Sequence, residues 1–531
     1  MTTDSTAAGE ARPNGGDLPF ARTLFDACDG LRGHVESAEY KHLVLGLIFL
    51  KYISDAFERR RATLEAETRK RDGALFTDDE TERQEILEDR DEYVAENVFW
   101  VPPAARWDEL LAAATQADIG ARIDAALEAI EKANDELRGV LPRIYARAPI
   151  APTALGELLS TIARVGFGDD PDQARDLLGR VYEYFIKTFA RSEGHRGGEF
   201  YTPASVTRLL VEMLEPYEGR VLDPACGSGG LFIQSGRFVA AHGGRARALS
   251  IYGQENNQAT WRICRMNLAI HGLAGNITLA NTLLDDRHKD LRADFVLANP
   301  PFNMKKWGSD RVAGDVRWAY GAPPEGNANY AWIQHFIHHL APDGRAGFVL
   351  ANGSLTGAGA ESEIRKAIIL DDLVDCIVAL PAQLFFTTGI PVCLWFLDRN
   401  KASSGEHDRR GKVLFIDARQ MGSKISRTQI ELADEEIARV VGAYHAWRGT
   451  TGESLEAVLG FSASASLEQI EAAGWTLSPG RYVGAPEAEE DEIAFEERMA
   501  ELVDLLASEM SENERLAHSV REAMARIGYD A

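Results

Sequence analysis

Between Arg220 and Leu397 short apolar runs alternate with stretches of helical period, and this alternation restricts the possible folds more than any other feature of the chain. The runs are Arg220-Val221-Leu222, Leu249-Ser250-Ile251-Tyr252, Ile277-Thr278-Leu279-Ala280, Asp294-Phe295-Val296-Leu297-Ala298, Gly347-Phe348-Val349-Leu350, Cys376-Ile377-Val378-Ala379-Leu380 and Val392-Cys393-Leu394-Trp395-Phe396-Leu397. Runs that are apolar along their whole length read as strands covered on both faces. Helical stretches such as Gln258 to His271 lie between them. Strand–helix alternation of this kind predicts an α/β fold with a parallel, doubly wound sheet. Ligands of such sheets bind beyond the carboxyl ends of the strands, so the residues just after each run are the ones to read for chemistry.

The run ending at Ala298 leads into Asn299-Pro300-Pro301-Phe302. The prolines fix φ and restrict the residue before them, which holds the Asn299 amide in one orientation. Its side-chain oxygen, together with the Pro300 carbonyl, can accept both hydrogens of a planar exocyclic NH2, and Phe302 offers a face for a flat base. The plain alternative is a loop whose prolines merely end a strand.

The first run leads into Asp223-Pro224-Ala225-Cys226-Gly227-Ser228-Gly229-Gly230, a glycine-rich turn before a helix. The glycines lack the Gly-x-Gly-x-x-Gly spacing of a dinucleotide site, and Asp223 would repel phosphates. An acid there suits a ligand ammonium group. Glu255, at the end of the second run, is placed to accept hydrogen bonds from both ribose hydroxyls. An aminoacyl nucleoside without phosphates, S-adenosyl-L-methionine, fits both carboxylates, although either one alone reads equally well as a solvated surface acid. With a methyl donor beside Asn299, accepting the amine's hydrogens favours its pyramidal, nucleophilic state. No metal is required. Inside a duplex the amine is out of reach, so a nucleic-acid base would have to be flipped out and stacked, with Phe302 as the platform.

The rest of the chain frames this unit. Its 531 residues predict two or three domains. Residues 1–17 are polar and lack an apolar signal core, reading as a disordered tail. Residues 18–165 carry helical periodicity, with Leu43, Leu47, Leu50, Ile53 and Phe57 on one face, and form a helical domain read as scaffold or partner surface. Residues 166–485 form the donor-binding domain. Residues 486–531 carry a one-sided stripe (Phe495, Met499, Leu502, Leu506, Leu516, Val520, Met524, Ile527) that suits either packing on the chain itself or docking to another subunit. The five cysteines are scattered singly, as in a reducing cytoplasm, and no apolar run is long enough to span a membrane. With 57 Lys and Arg against 82 Asp and Glu the net charge is −25, which disfavours autonomous DNA binding because affinity for DNA comes from cations on phosphates.

The ordered set Asp223–Gly230, Glu255 and Asn299–Phe302 resembles the motifs of amino-group DNA methyltransferases. Glu199-Phe200-Tyr201-Thr202-Pro203 is similar to a donor-binding segment that precedes the glycine turn in one branch of them. Together with Glu39-Tyr40-Lys41, Phe49 to Asp55, and Leu380-Pro381 to Pro391, the pattern is similar to the modification (M) subunit of type I restriction–modification systems. This resemblance implies a Rossmann-like methyltransferase sheet between an N-terminal helical domain and a C-terminal helical extension. It implies N6-methylation of adenine, with Asn299, Pro300, Pro301 and Phe302 catalytic. Donor contacts are implied at Glu199, Phe200, Tyr201, Thr202, Pro203, Ala204, Asp223, Gly227, Ser228, Gly229, Gly230 and Glu255. Asn281 stands where many relatives place an Asp against the donor's adenine. The implied partners are a specificity (S) subunit that reads the DNA, a second copy of this chain and a restriction (R) subunit. The residues alone leave open methylation of cytosine N4 or of a protein glutamine, and a non-catalytic assembly protein retaining the fold.

Overall fold

The computed structural model describes residues 19–33, 35–164, 171–193, 201–244, 248–385, 389–402, 406–426, 429–452 and 455–484, and scattered positions from 499 to 517. Residues Met1–Val483 form one compact unit and Gly484–Ala531 another. In the second unit the described Met499, Val503, Met510 and Leu516 are exposed. The other members of the C-terminal stripe, the tail to Asp17, Glu199 and Phe200 lie outside the described residues.

The strands are β1 (Gly219–Asp223), β2 (Leu249–Glu255), β3 (Gly275–Leu279), β4 (Ala293–Ala298), β5 (Leu340–Ala351), β6 (Val374–Ala379), β7 (Val392–Asp398), β8 (Lys412–Asp417), β9 (Ser423–Ser426), β10 (Gln429–Glu431) and β11 (Ser462–Ser466). β9 and β10 form a separate pair, and the other nine make one sheet in the order β3-β2-β1-β4-β5-β7-β6-β8-β11. Alternate residues serve opposite faces. Val221, Leu297, Val349, Leu394 and Phe396 pack under helices Ala204–Leu214, Gly230–Ala241 and Asp434–Arg448. Leu222, Val296, Ala298, Phe348 and Trp395 pack under Asn329–His339 and Ala360–Leu370. Cover on both faces is why the central runs are nearly all apolar, whereas the edge strand β3 leaves Leu279 exposed.

The sheet departs from the all-parallel expectation. β7 runs antiparallel to both β5 and β6, and β11 antiparallel to β8. A parallel crossover takes a dozen or more residues and usually a helix. The link from β6 to β7, Leu380 to Pro391, carries no helix among the described residues, so the chain turns back beside its own strand. The apolar content of Val392–Leu397 marks a central strand and says nothing about direction.

No strand precedes Gly219 among the described residues. Helix Ser37–Arg69 buries Leu43, Leu47, Leu50, Ile53 and Phe57, the face expected from the sequence. This helical core continues into Ile263, Met266 and Ile270 of helix Gln258–Ile270, whose other side, Cys264 and Leu268, belongs to the sheet core. Arg262 Nε donates to the Gly139 carbonyl at 3.2 Å and Arg265 to that of Glu136 at 2.6 Å. Helix Gln258–Ile270 is therefore held from both sides, and it begins just after the carboxyl end of β2.

Candidate active site

The carboxyl ends of β1, β2 and β4 meet at a cavity of about 310 Å³, lined among others by Tyr201, Ser228, Glu255, Asn281, Asn299 and Lys41. A smaller one of about 90 Å³ shares Tyr201, Gly227, Ser228 and Asn299 with it and adds Thr202, Ala204, Asp223 and Gly230.

The glycine turn is built around backbone N–H groups. Gly227 and Gly229 have φ of +52° and +82°, the left-handed region that glycine enters without a Cβ penalty. A Cβ on Gly229 would lie 3.0 Å from Cys264 Sγ, so this residue also permits the close approach of helix Gln258–Ile270. Glu255 joins the turn to β2. Its carboxylate accepts from the Gly227 N–H at 3.1 Å and from those of Asn256 and Asn257 at 2.8 and 2.7 Å.

Asp223 is 2% exposed and accepts one hydrogen bond, from the Ala225 N–H at 3.0 Å. Burial pushes its pKa up to about 8; that hydrogen bond pulls the other way, and the Glu255 charge pushes it further up. A cation beside it would reverse the shift.

Asn299 is 8% exposed at the end of β4. Its amide nitrogen donates to Thr202 Oγ1 at 2.9 Å. That bond fixes which end of the amide faces which way, leaving Oδ1 buried and with no hydrogen-bond partner among the described residues. Buried acceptors are nearly always paired, so an orphan at a cavity wall is an acceptor held ready for a ligand donor. Pro203 caps helix Ala204–Leu214 from just outside, where its carbonyl accepts from the Thr207 N–H at 2.9 Å. Phe302 is half-buried and meets Phe385 edge-on, with centroids 6.0 Å apart. Of the sequence-derived residues described, Pro300, Pro203, Gly229 and Phe302 support the walls and line neither cavity; Pro301 lines the larger.

Several residues at the site were not among those the sequence marked. Lys41 reaches the larger cavity from helix Ser37–Arg69 and is buried there. Thr282 donates to the Pro224 carbonyl at 2.5 Å and so ties the loop after β3 to the glycine turn. Arg317 donates to the carbonyls of Thr282 and Leu283 at 3.0 and 2.7 Å. Asp286 on the same loop pairs with His339 at 2.9 Å. Burial would raise its pKa, but the His339 hydrogen bond and the nearby histidines hold it well below the usual carboxylate range. Asp286, His335 and His339 have metal-ligand chemistry and lie close together. They are engaged internally: His339 also faces the Leu291 carbonyl at 3.0 Å, and the Arg317 guanidinium stands 3.1 Å from His335 Nδ1. A His-x-x-x-His pair on a helix was the available signal, but its acid lies 49 positions upstream, counted from Asp286 to His335.

Residues 173–491 match the family model for N-6 DNA methylases, and residues 20–162 match that for the HsdM N-terminal domain. The chain belongs to the N-6 DNA methylase family. Within it the chain is a methylase subunit of the type I restriction–modification kind. It is 45% identical over 417 residues to the type I restriction enzyme HindI methylase subunit of Haemophilus influenzae, covering 77% of this chain and 92% of that one. It is 40% identical over 517 residues to the MjaIX methylase subunit of Methanocaldococcus jannaschii, covering 96% and 92%. Among solved structures, a type I restriction–modification methyltransferase subunit from Streptococcus thermophilus shares the fold. Its TM-score is 0.73 at 24% identity, over 88% of this chain and 99% of that one. No helix among the described residues of this N-6 DNA methylase is long and apolar enough to cross a membrane.

Proposed function

We propose that this methylase transfers the methyl group of S-adenosyl-L-methionine to N6 of an adenine flipped out of DNA, and that a separate specificity subunit selects the site. The observation that carries the reading is the orphaned, buried Asn299 Oδ1, oriented by Thr202 at the wall shared by both cavities. When bound, the donor supplies an electrophilic methyl on a sulfonium. Asn299, helped by the Pro300 carbonyl, accepts the amine's hydrogens and stabilises the charge that develops as its lone pair is engaged. Phe302 supplies the ring against which the base rests. Glu255 takes the ribose hydroxyls, Asp223 the ammonium, and the N–H groups of Ser228 and Gly230 the rest of the amino-acid end, in a turn that Gly227 and Gly229 shape. Tyr201, Thr202 and Ala204 close the donor side, with Glu199, Phe200 and Pro203 as their continuation in sequence. No residue here acts as a covalent nucleophile, so catalysis is positioning and electrostatics.

The same reading assigns residues 18–165 to a helical domain, 166–485 to transfer chemistry and 486–531 to docking on another subunit in the cytoplasm. A second copy of this chain and a restriction subunit complete the assembly we propose. The decisive variant is Asn299→Ala. Methyl transfer should be lost while titration calorimetry finds donor affinity unchanged. Joint loss of donor affinity and activity, with the fold intact, would assign Asn299 to the donor and overturn the role given to it.

A further inference from the structure

The catalytic turn opens directly into a long excursion, Asn303 to Ala328, before helix Asn329–His339 begins. Apart from the short 3-10 turn Ser309–Val312 it has no regular structure, yet it is closed at the neck like a hairpin. The Asn303 N–H donates to Asn329 Oδ1 and Asn329 Nδ2 to Asn303 Oδ1, both at 2.9 Å. The Ala328 N–H donates to the Met304 carbonyl at 3.0 Å, the Lys306 N–H to that of Glu325 at 3.2 Å, and Trp307 Nε1 to that of Pro324 at 3.0 Å. Its body is braced as well. Trp318 Nε1 donates to the Val312 carbonyl at 2.6 Å, Trp307 meets Trp318 edge-on, and Arg317 is buried against Asp315 and the donor-side loop. Long loops of compact domains that pack on their own side chains are drawn disproportionately from functional segments.

Among the charges this braced loop exposes, cations outnumber acids. Lys305, Lys306 and Arg311 are exposed, and none of them has an ion-pair partner among the described residues. The loop's remaining arginine, Arg317, is paired with Asp315. Asp310 and Glu325 are also exposed on the loop, so its exposed surface carries three cations against two acids. In a chain of net charge −25 such a surplus beside the catalytic turn is out of character. Lys306 is held at φ +52°, a conformation that non-glycine residues rarely adopt and that the neck bonds on both sides enforce. Lys305 and Lys306 follow Phe302 by three and four positions, which places them within about 14 Å of it along even a fully extended chain.

We propose that this loop contacts the backbone of the DNA strand that carries the flipped base, with Lys305, Lys306 and Arg311 neutralising phosphates. The proposal rests on the function assigned above. It supplies part of the local grip that the whole chain's charge withholds. The loop fixes the strand relative to Asn299 and carries no sequence information, because phosphate contacts position while base contacts specify.

The test uses the complex of this chain with its specificity subunit. Log Kd for duplex DNA is measured against log salt concentration for the unsubstituted complex, for Lys305→Ala/Lys306→Ala and for Arg311→Ala. Lys70→Ala/Arg71→Ala, which removes the same charge from the helical part, serves as control. The salt slope should fall by about one for each cation removed from the loop, equally on target and non-target DNA, and should be restored by Lys305→Arg/Lys306→Arg. Donor affinity measured by calorimetry should not change, which confirms the fold. A slope equal to that of the unsubstituted complex, or a fall matched by the control, would overturn the proposal. So would weakened subunit association at constant slope, which would make the loop a protein contact. If the unsubstituted complex binds DNA but transfers no methyl group, the proposed function fails, and the slopes still judge the loop.

Discussion

At the scale of single residues, the carboxylates at the ends of β1 and β2 differ in kind. Asp223 is buried with one hydrogen bond and a pKa of about 8, whereas Glu255 is tied to three backbone N–H groups. An acid whose folded pKa lies above its unfolded value is most comfortable protonated. Its ionisation between about pH 4 and 8 therefore costs the empty protein stability, and that cost rises with pH. A donor ammonium needs the ionised form, so donor binding below pH 8 should release a proton from Asp223. Donor affinity should rise by up to roughly tenfold per pH unit between pH 6 and 8 and then level off. Calorimetry in buffers of different ionisation enthalpy reads both quantities. An affinity independent of pH, or one with the same dependence in Asp223→Asn, would remove Asp223 from the ammonium site. Glu255→Ala should weaken the donor by roughly 1.5–3 kcal/mol, the range for hydrogen bonds to a charged group. Unchanged affinity would mean that the ribose is held elsewhere.

At the scale of elements, helix Asn329–His339 links the Asn299–Phe302 turn to the loop after β3. Its first residue, Asn329, is fully buried and clamps Asn303, which sits at φ +53° directly after Phe302. Its last residue, His339, holds Asp286 on the loop after β3. Asn329→Ala removes both bonds to Asn303 and frees the turn, while the donor cavity keeps its walls. Misplacement of a reacting group by about 1 Å costs up to about a hundredfold in rate, so single-turnover transfer should fall by roughly ten- to a hundredfold at unchanged donor affinity. Full activity in the folded variant would show that the prolines alone hold the turn. The Asn299–Phe302 turn at the end of β4 was legible in sequence because prolines and an aromatic act locally. The Asn303–Asn329 clamp was not, because neither residue differs from an ordinary turn asparagine until the chain folds.

At the scale of the whole molecule, charge decides. With −25 overall and only a local surplus of cations on one loop, the purified chain should neither bind DNA tightly nor methylate it at moderate salt. It should gain both when the specificity subunit is added. Gel-shift and methyl-transfer assays on the chain alone check this, and tight, site-specific methylation without a partner would refute it.

The sequence by itself determined the strand–helix alternation, the strands β1 to β7 and the residues at their carboxyl ends, because side-chain period, proline and glycine act over a few positions. It determined the helical character of the N-terminal part for the same reason. It left β8 and β11 unnoticed: in Ser462–Ser466 serine alternates with alanine, and a strand that weak is chosen by the edge it pairs with. Tertiary structure alone decided the direction of β7, the arrival of Lys41 at the larger cavity from the helical part, and the burial of Arg409 between Asp375 and Asp398 at 3.0 and 2.8 Å. Each of these joins residues far apart in the chain. Such contacts depend on which surfaces meet once the core closes, and no local pattern encodes that.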